Sequence, residues 1–214
     1  MDGNGILPEV HRYNVRQHAG VLSAHLRAGG YDPDVCRDDS AAIIDAVYSV
    51  FFEGSRGFIL SGGTGCGKTT ALRALRRLPV KGYDRDNPTY IPTTIIDCYH
   101  AGDADWLDWE EAAATIARSR LLLLDDFGTD EPTMVYGKRV DRIARLVMDW
   151  AEFPRRWPSN RTALVVATNL TGDQVQERYG ERVMSRLRVL TPIVLRAADM
   201  RTHNNSTPTE TTDQ

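Results

Sequence analysis

Eight consecutive residues, Gly62-Gly63-Thr64-Gly65-Cys66-Gly67-Lys68-Thr69, have the spacing G-x-x-x-x-G-K-[ST]. Glycines there permit positive φ and let main-chain N–H groups crowd around a polyanion. A helix starting near Lys68 adds partial positive charge at the same point. The pattern predicts a phosphate-binding loop for ATP. In it the Lys68 ammonium reaches the β- and γ-phosphates, the Thr69 hydroxyl ligates Mg²⁺, and Thr70 sits among the nucleotide-binding residues. A glycine-rich turn with no ligand is the plainer alternative, but the motif lies between an apolar strand and a helix, the setting it requires. Cys66 is inside the loop, where N–H groups can favour a thiolate; a small residue that simply fits is the simpler reading.

A second group follows. The run LLLL at residues 121–124 ends in Asp125-Asp126, delivering two carboxylates to the strand edge where open α/β sheets bind ligands. Asp125 is expected to hold Mg²⁺ through water, and Asp126 to orient or deprotonate the attacking water. Asp126 is one methylene shorter than the Glu that many ATPases use, which predicts slow hydrolysis; Glu131, on the next loop, is a substitute base. Asn169 follows the apolar run ALVVAT and can bond both the γ-phosphate and the lytic water, or else cap the next helix. Arg182 and Arg186, four apart, share one helical face. They form either a solvated face or a guanidinium that meets a neighbouring subunit's γ-phosphate.

These groups need a scaffold. Short apolar runs at 57–61, 93–98, 121–125, 163–168 and 192–196 read as strands, and unbroken runs such as LLLL and ALVV mean cover on both faces. Helical patterns fall at 14–28, 39–52, 68–78, 109–118 and 138–153, with two short helices in 172–188 and loops at 80–92 and 154–161. The prediction is a three-layer α/β domain around a five-stranded parallel sheet. Residues 1–13 read as an extended arm. The polar run HNNSTPTETTDQ at 203–214 has no apolar anchor and reads as disordered.

Composition narrows the class. The 214 residues are 42% hydrophobic and 26% charged, with 26 Lys+Arg against 29 Asp+Glu and a net charge of −3. This excludes collagen-like and disulfide-scaffold chains and gives no global field toward nucleic acid, so any such contact must be local. Cys36, Cys66 and Cys98 form no C-x-x-C motif, which favours a reducing compartment. With no signal-peptide pattern and no apolar run of membrane-spanning length, the expectation is a cytoplasmic protein without a membrane partner.

Together, GGTGCGKT, LLLLDDFG, VVATNL and YGERVMSRLR resemble the AAA+ ATPases of the DnaC/IstB-like group. These are replicative-helicase loaders and the helper ATPases of one class of transposon. The resemblance implies an AAA+ P-loop NTPase core at 54–201, preceded by short N-terminal helices within a partner or linker region at 1–53. Little or no C-terminal lid is expected, and 202–214 form the tail. It implies that Asn169 is the sensor amide and that Arg186 is an arginine finger acting on the adjacent protomer. Arg201, in the sequence ADMR, resembles a late arginine that touches the nucleotide in cis. The loop from Gly128 to Gly137 resembles phage and mobile-element members.

The implied activity is ATP hydrolysis with Mg²⁺, coupled to an ATP-dependent homo-oligomer that engages a replicative helicase in DNA replication. A transposition helper that coats duplex DNA for a transposase is the close alternative. A small-molecule P-loop kinase and a weakly hydrolysing ATP-dependent scaffold are the more distant ones. DNA, single-stranded or duplex, is an implied partner. The family's DNA-contacting insertion corresponds to the acidic stretch DADWLDWEE at 103–111, which repels phosphate, although Trp106 and Trp109 can stack on bases. Lys81, Tyr83 and Arg85, and the trio Arg155, Arg156 and Trp157, are basic–aromatic alternatives.

Overall fold

An unbroken apolar strand is stable only between two layers, because neither of its faces tolerates water. The computed structural model describes residues 20, 22–24, 26–28, 37–77, 93–98, 121–156 and 162–196. In order, these form α1 (Arg37–Tyr48), a π turn (Ser49–Glu53), β1 (Gly57–Ser61), α2 (Lys68–Arg76), β2 (Thr93–Asp97) and β3 (Leu121–Phe127). They continue with β4 (Thr133–Val135), β5 (Lys138–Val140), α3 (Arg142–Arg156), β6 (Ala163–Thr168), α4 (Gly172–Leu187) and β7 (Thr191–Val194). Five strands make a sheet in the order β2-β3-β6-β1-β7, with every pairing parallel. β4 and β5 stand apart as an antiparallel hairpin.

The strands divide their side chains by parity between two cores. Phe58, Leu60, Leu121, Leu123, Ala163, Val165 and Ala167 pack with α1, α2 and the helical residues Leu22 and Leu26. Leu122, Leu124, Leu164 and Val166 pack instead with α3 and α4. The result is helix, sheet, helix. The arm at 1–13, the loop at 80–92, the helix at 109–118, the tail and the question of a lid lie outside the described residues. No described helix is long and apolar enough to cross a membrane.

Two elements depart from the sequence reading. Residues 138–140 begin no helix; they are the return strand of the hairpin, whose tip residues Tyr136 and Gly137 have φ of 49° and 73°. Two positive φ values in a row give the turn whose twist suits a two-residue hairpin. The helix starts only after Asp141, whose carboxylate accepts from Ala144 N at 2.8 Å and caps it.

Second, α3 continues to Arg156 through Pro154, although proline has no N–H for the carbonyl four residues back. That carbonyl belongs to Trp150, and Arg56 Nη2 donates to it at 3.4 Å while its guanidinium lies 4.5 Å from the Trp150 ring centroid. Trp150 Nε1 in turn donates to Thr162 O at 2.9 Å, so the starts of β1 and β6 are both tied to the end of α3. The region after β6 agrees with the sequence reading: two helices meet at a kink at Gly180, with φ 83° and ψ 166°, within the span named α4. The two short helices expected there are its halves.

Candidate nucleotide-binding site

The loop after β1 takes its shape from glycine. Gly62, Gly65 and Gly67 have φ of 148°, 83° and 92°. At Gly62 a Cβ would lie 2.7 Å from Leu195 O and 2.9 Å from Cys66 Sγ, so no other residue fits between the loop and the end of β7. Cys66 is buried as packing, while Gly63 and Thr64 are exposed and Thr69 and Thr70 half-buried in the first turn of α2. Lys68 is only 7% exposed. Its ammonium donates to Gly62 O and Gly63 O, each at 2.8 Å, with Cys66 Sγ at 3.5 Å. A buried ammonium held by the loop's own carbonyls is placed at the centre of the loop, where a phosphate would meet it.

The acidic pair is positioned by a bulge. β3 and β6 pair regularly through Leu124↔Val166, and the register then shifts before Phe127↔Thr168. The shift reverses parity: Phe127 joins the Leu122 and Leu124 side of the sheet, whereas uninterrupted alternation would have put Asp126 there. Asp125, buried at 7%, accepts from Thr69 Oγ1 at 3.0 Å and from Asp126 N at 3.1 Å. Asp126 is left at the bulge, partly exposed, with φ 51°. Bulges next to sites re-aim a side chain, and a non-glycine residue held at positive φ marks local strain of the kind that gathers at functional positions.

Thr69 and Asp125 bring a hydroxyl and a carboxylate together. Two hard oxygens, completed by phosphate oxygens and water, are what Mg²⁺ takes in nucleotide sites. The donor set therefore fits that ion.

β6 lies between β1 and β3, so Asn169, one residue beyond its end and exposed, sits between the phosphate loop and the acidic pair. It does not cap α4. Thr171 does, in a reciprocal box with Gln174: Gln174 N donates to Thr171 Oγ1 at 3.3 Å and Thr171 N to Gln174 Oε1 at 2.8 Å. Thr168 joins the strand ends, donating to Phe127 O at 2.7 Å and accepting from Leu170 N at 3.0 Å.

Arg186 is not brought to this cluster. β7 runs parallel to β1 with Thr191 opposite Phe58 and Val194 opposite Ser61, so the turn from α4 into β7 lies at the other end of the sheet. Three strand steps separate Phe58 from Ser61, about 10 Å at the usual rise, and the loop lies beyond that. Arg186 is half-buried, and its Nε is buried with no hydrogen-bond partner among the described residues. Arg182 is exposed, and Arg188 donates to Glu181 at 2.7 Å and Gln176 at 3.4 Å. Glu131 is exposed. Arg201, Trp106, Trp109, Lys81, Tyr83, Arg85 and Trp157, and the side chains of Arg155 and Arg156, lie outside the described residues.

Two groups were missed by sequence reasoning. The hairpin presents Met134, 68% exposed, and Tyr136, fully exposed, beside exposed Lys138 and Arg139; a tyrosine followed by glycine was its only local signal. The other is Asp130 with Tyr179. Asp130, 2% exposed, accepts from the Tyr179 hydroxyl and pairs with Arg178 Nη2 at 3.6 Å. Burial raises the Asp130 carboxyl above its ordinary pKa despite both partners, and burial and the carboxylate together raise the Tyr179 phenol.

The sheet order and the site can be compared with solved structures. A crystal structure of DnaI matches over 74% of this chain and 85% of its own, at 21% identity and a TM-score of 0.50. The chain shares that structure's fold, the α/β P-loop fold of AAA+ domains. A crystal structure of the DnaC helicase loader matches at 16% identity over 73% of this chain and 90% of its own, with a TM-score of 0.48. Domain III of the Thermotoga maritima replication initiation protein DnaA matches at 16% identity over 80% and 70%, also at 0.48. No protein-family model matches this chain, and no curated protein does.

Proposed function

We propose that the chain is a DnaC/IstB-like AAA+ ATPase that binds ATP with Mg²⁺, assembles on itself through the nucleotide, and acts as a helicase loader in DNA replication. One observation carries the reading: the phosphate loop, Thr69, Asp125, Asp126 and Asn169 gather at one end of the sheet, and Arg186 lies at the other. In this reading Lys68 exchanges its carbonyl partners for the β- and γ-phosphates, and loop N–H groups hold the remaining oxygens. Thr69, and Asp125 through water, would hold Mg²⁺, which would supply charge neutralisation at the phosphates. Asp126 takes the proton of the attacking water, and Asn169 orients that water against the γ-phosphate. The guanidinium that completes the charge balance is Arg186 of an adjacent copy.

Helicase and DNA as partners are drawn from the resemblance in sequence, and the hairpin adds support. Tyr136 offers a stacking face and Lys138 and Arg139 offer charge, the combination that holds single-stranded nucleic acid. The test is particle mass by light scattering, with and without ATP and single-stranded DNA, followed by capture with a hexameric helicase or a transposase. The reading expects growth with ATP and helicase capture. Arg186→Ala is expected to keep ATP affinity and lose concentration-dependent turnover. Mass unchanged by ATP, or full turnover in that variant, overturns it; transposase capture alone makes the chain a transposition helper.

A further inference from the structure

The nucleotide site does not use Tyr179, Asp130 or Gly180, yet these residues join its acidic strand to the arginine-bearing helix. Tyr179 lies at the end of the first half of α4, with its ring stacked on Phe127, the residue after Asp126, at 4.6 Å between centroids. Its hydroxyl donates to the buried Asp130 on the loop that leaves β3, and Arg178 pairs with the same carboxylate. Three contacts therefore fix one half of the helix to the end of the acidic strand. The next residue is Gly180, in a conformation that only glycine adopts readily, with no atom within 4 Å of an added Cβ. The break there is a property of the backbone and not of crowding. Beyond it the second half of α4 carries Arg182 and Arg186, seated by Val183 and Leu187 in the core shared with α3.

We infer that Tyr179 and Asp130 are positioning residues for the arginine finger: by clamping the first half of α4 to the Asp126–Phe127 bulge, they set the angle at which the half beyond Gly180 offers Arg186 to the neighbouring copy. The inference rests on the proposal that Arg186 acts in trans. It separates two functions of each copy. The clamp belongs to the copy that donates the arginine, and the copy whose ATP is cleaved does not need its own clamp to receive that arginine. Arg186, with Nε buried and unpartnered among the described residues, depends on the backbone angle for its direction because no described side chain holds that nitrogen.

Mixing two individually defective chains tests this. A Lys68→Ala chain supplies only the arginine and an Arg186→Ala chain supplies only the nucleotide site, so an equimolar mixture should regain turnover that neither has alone. Tyr179→Phe keeps the ring on Phe127 and removes the hydroxyl. Added to the Lys68→Ala chain, it should cut the regained turnover at least fivefold; added to the Arg186→Ala chain, it should leave turnover within twofold. Asp130→Asn on the donor chain keeps an acceptor for the phenol and should retain most of the turnover, while Asp130→Ala should lose it as Tyr179→Phe does. Circular dichroism of each variant separates misfolding from misplacement, and the asparagine variant carries the test if the alanine variant fails to fold. Equal loss from either placement, or no loss from the donor placement, overturns the inference and leaves the trans arginine standing. A mixture that regains nothing overturns both.

Discussion

Asp126 joins backbone strain to chemistry at one residue, and substitution can separate the two. Its φ of 51° is one that side chains with a Cβ adopt at a cost of roughly 1–2 kcal/mol. Glycine escapes that cost but loses more chain entropy on folding, about 0.5–1 kcal/mol relative to alanine. Taken at the middle of each range, the difference leaves Asp126→Gly ahead of Asp126→Ala by roughly 0.75 kcal/mol, the reverse of the order in a regular strand. For a chain of this size that is a melting-temperature gap of about 1–4 °C, measurable by thermal or urea denaturation. Asp126→Asn separates the chemistry. Asparagine tolerates the same φ but cannot take a proton, so hydrolysis should fall about 10²-fold or more, with ATP affinity nearly unchanged. An alanine variant as stable as the glycine variant would show that the bulge does not hold this backbone angle. An asparagine variant that hydrolyses ATP within tenfold of the parent would remove Asp126 as the base and turn attention to Glu131.

Lys68→Ala should abolish ATP binding in a fluorescent-nucleotide titration, and affinity like that of the parent would refute the phosphate-loop reading. Trp150→Phe loses the bond to Thr162 O and part of the stack under Arg56, which should cost about 2–4 kcal/mol. The melting temperature should then drop by roughly 4–16 °C; a change under 2 °C would mean that the joint contributes little to stability. Because burial raises the Asp130 carboxyl above its ordinary 3.8, the native state binds this proton more tightly than the unfolded chain does. Its stabilising contribution is full below about pH 3.8 and is lost as pH rises through the folded value. The stability of the parent relative to Asp130→Asn should therefore fall between acid and neutral pH in urea titrations; a rise would reverse the sign of the argument.

What was legible in the sequence was local or periodic. The phosphate loop is eight adjacent residues whose glycines have one steric reason to be there, and strands buried on both faces announce themselves as LLLL and ALVV. The box that starts α4 was legible too, as Thr171-x-x-Gln174, and would have removed Asn169 as a cap. Long-range complements were not legible. Nothing in the sequence near Pro154 says that Arg56, 94 residues before Trp150, will serve the carbonyl that proline leaves without a donor. Nor does the DDF triplet announce a bulge, so alternation alone puts Asp126 and Phe127 on the wrong faces. The hairpin escaped because Val140, Ile143, Val147 and Trp150 keep near-helical spacing across its return strand, and only Tyr136-Gly137 opposes that pattern.

If Arg186 acts on a neighbouring copy, its separation from the phosphate loop governs how copies can pair. On the proposed reading, a two-fold pair completes its sites only if the dyad crosses the strands, so that the loop end of each copy meets the Arg186 end of the other, and such a pair stops at two copies. Any larger assembly that uses the same contact would join head to tail, which yields a closed circle or an open spiral. In such a spiral one terminal copy would hold a triphosphate that no arginine reaches. That end would stay charged while the interior turned over, giving the proposed assembly a direction.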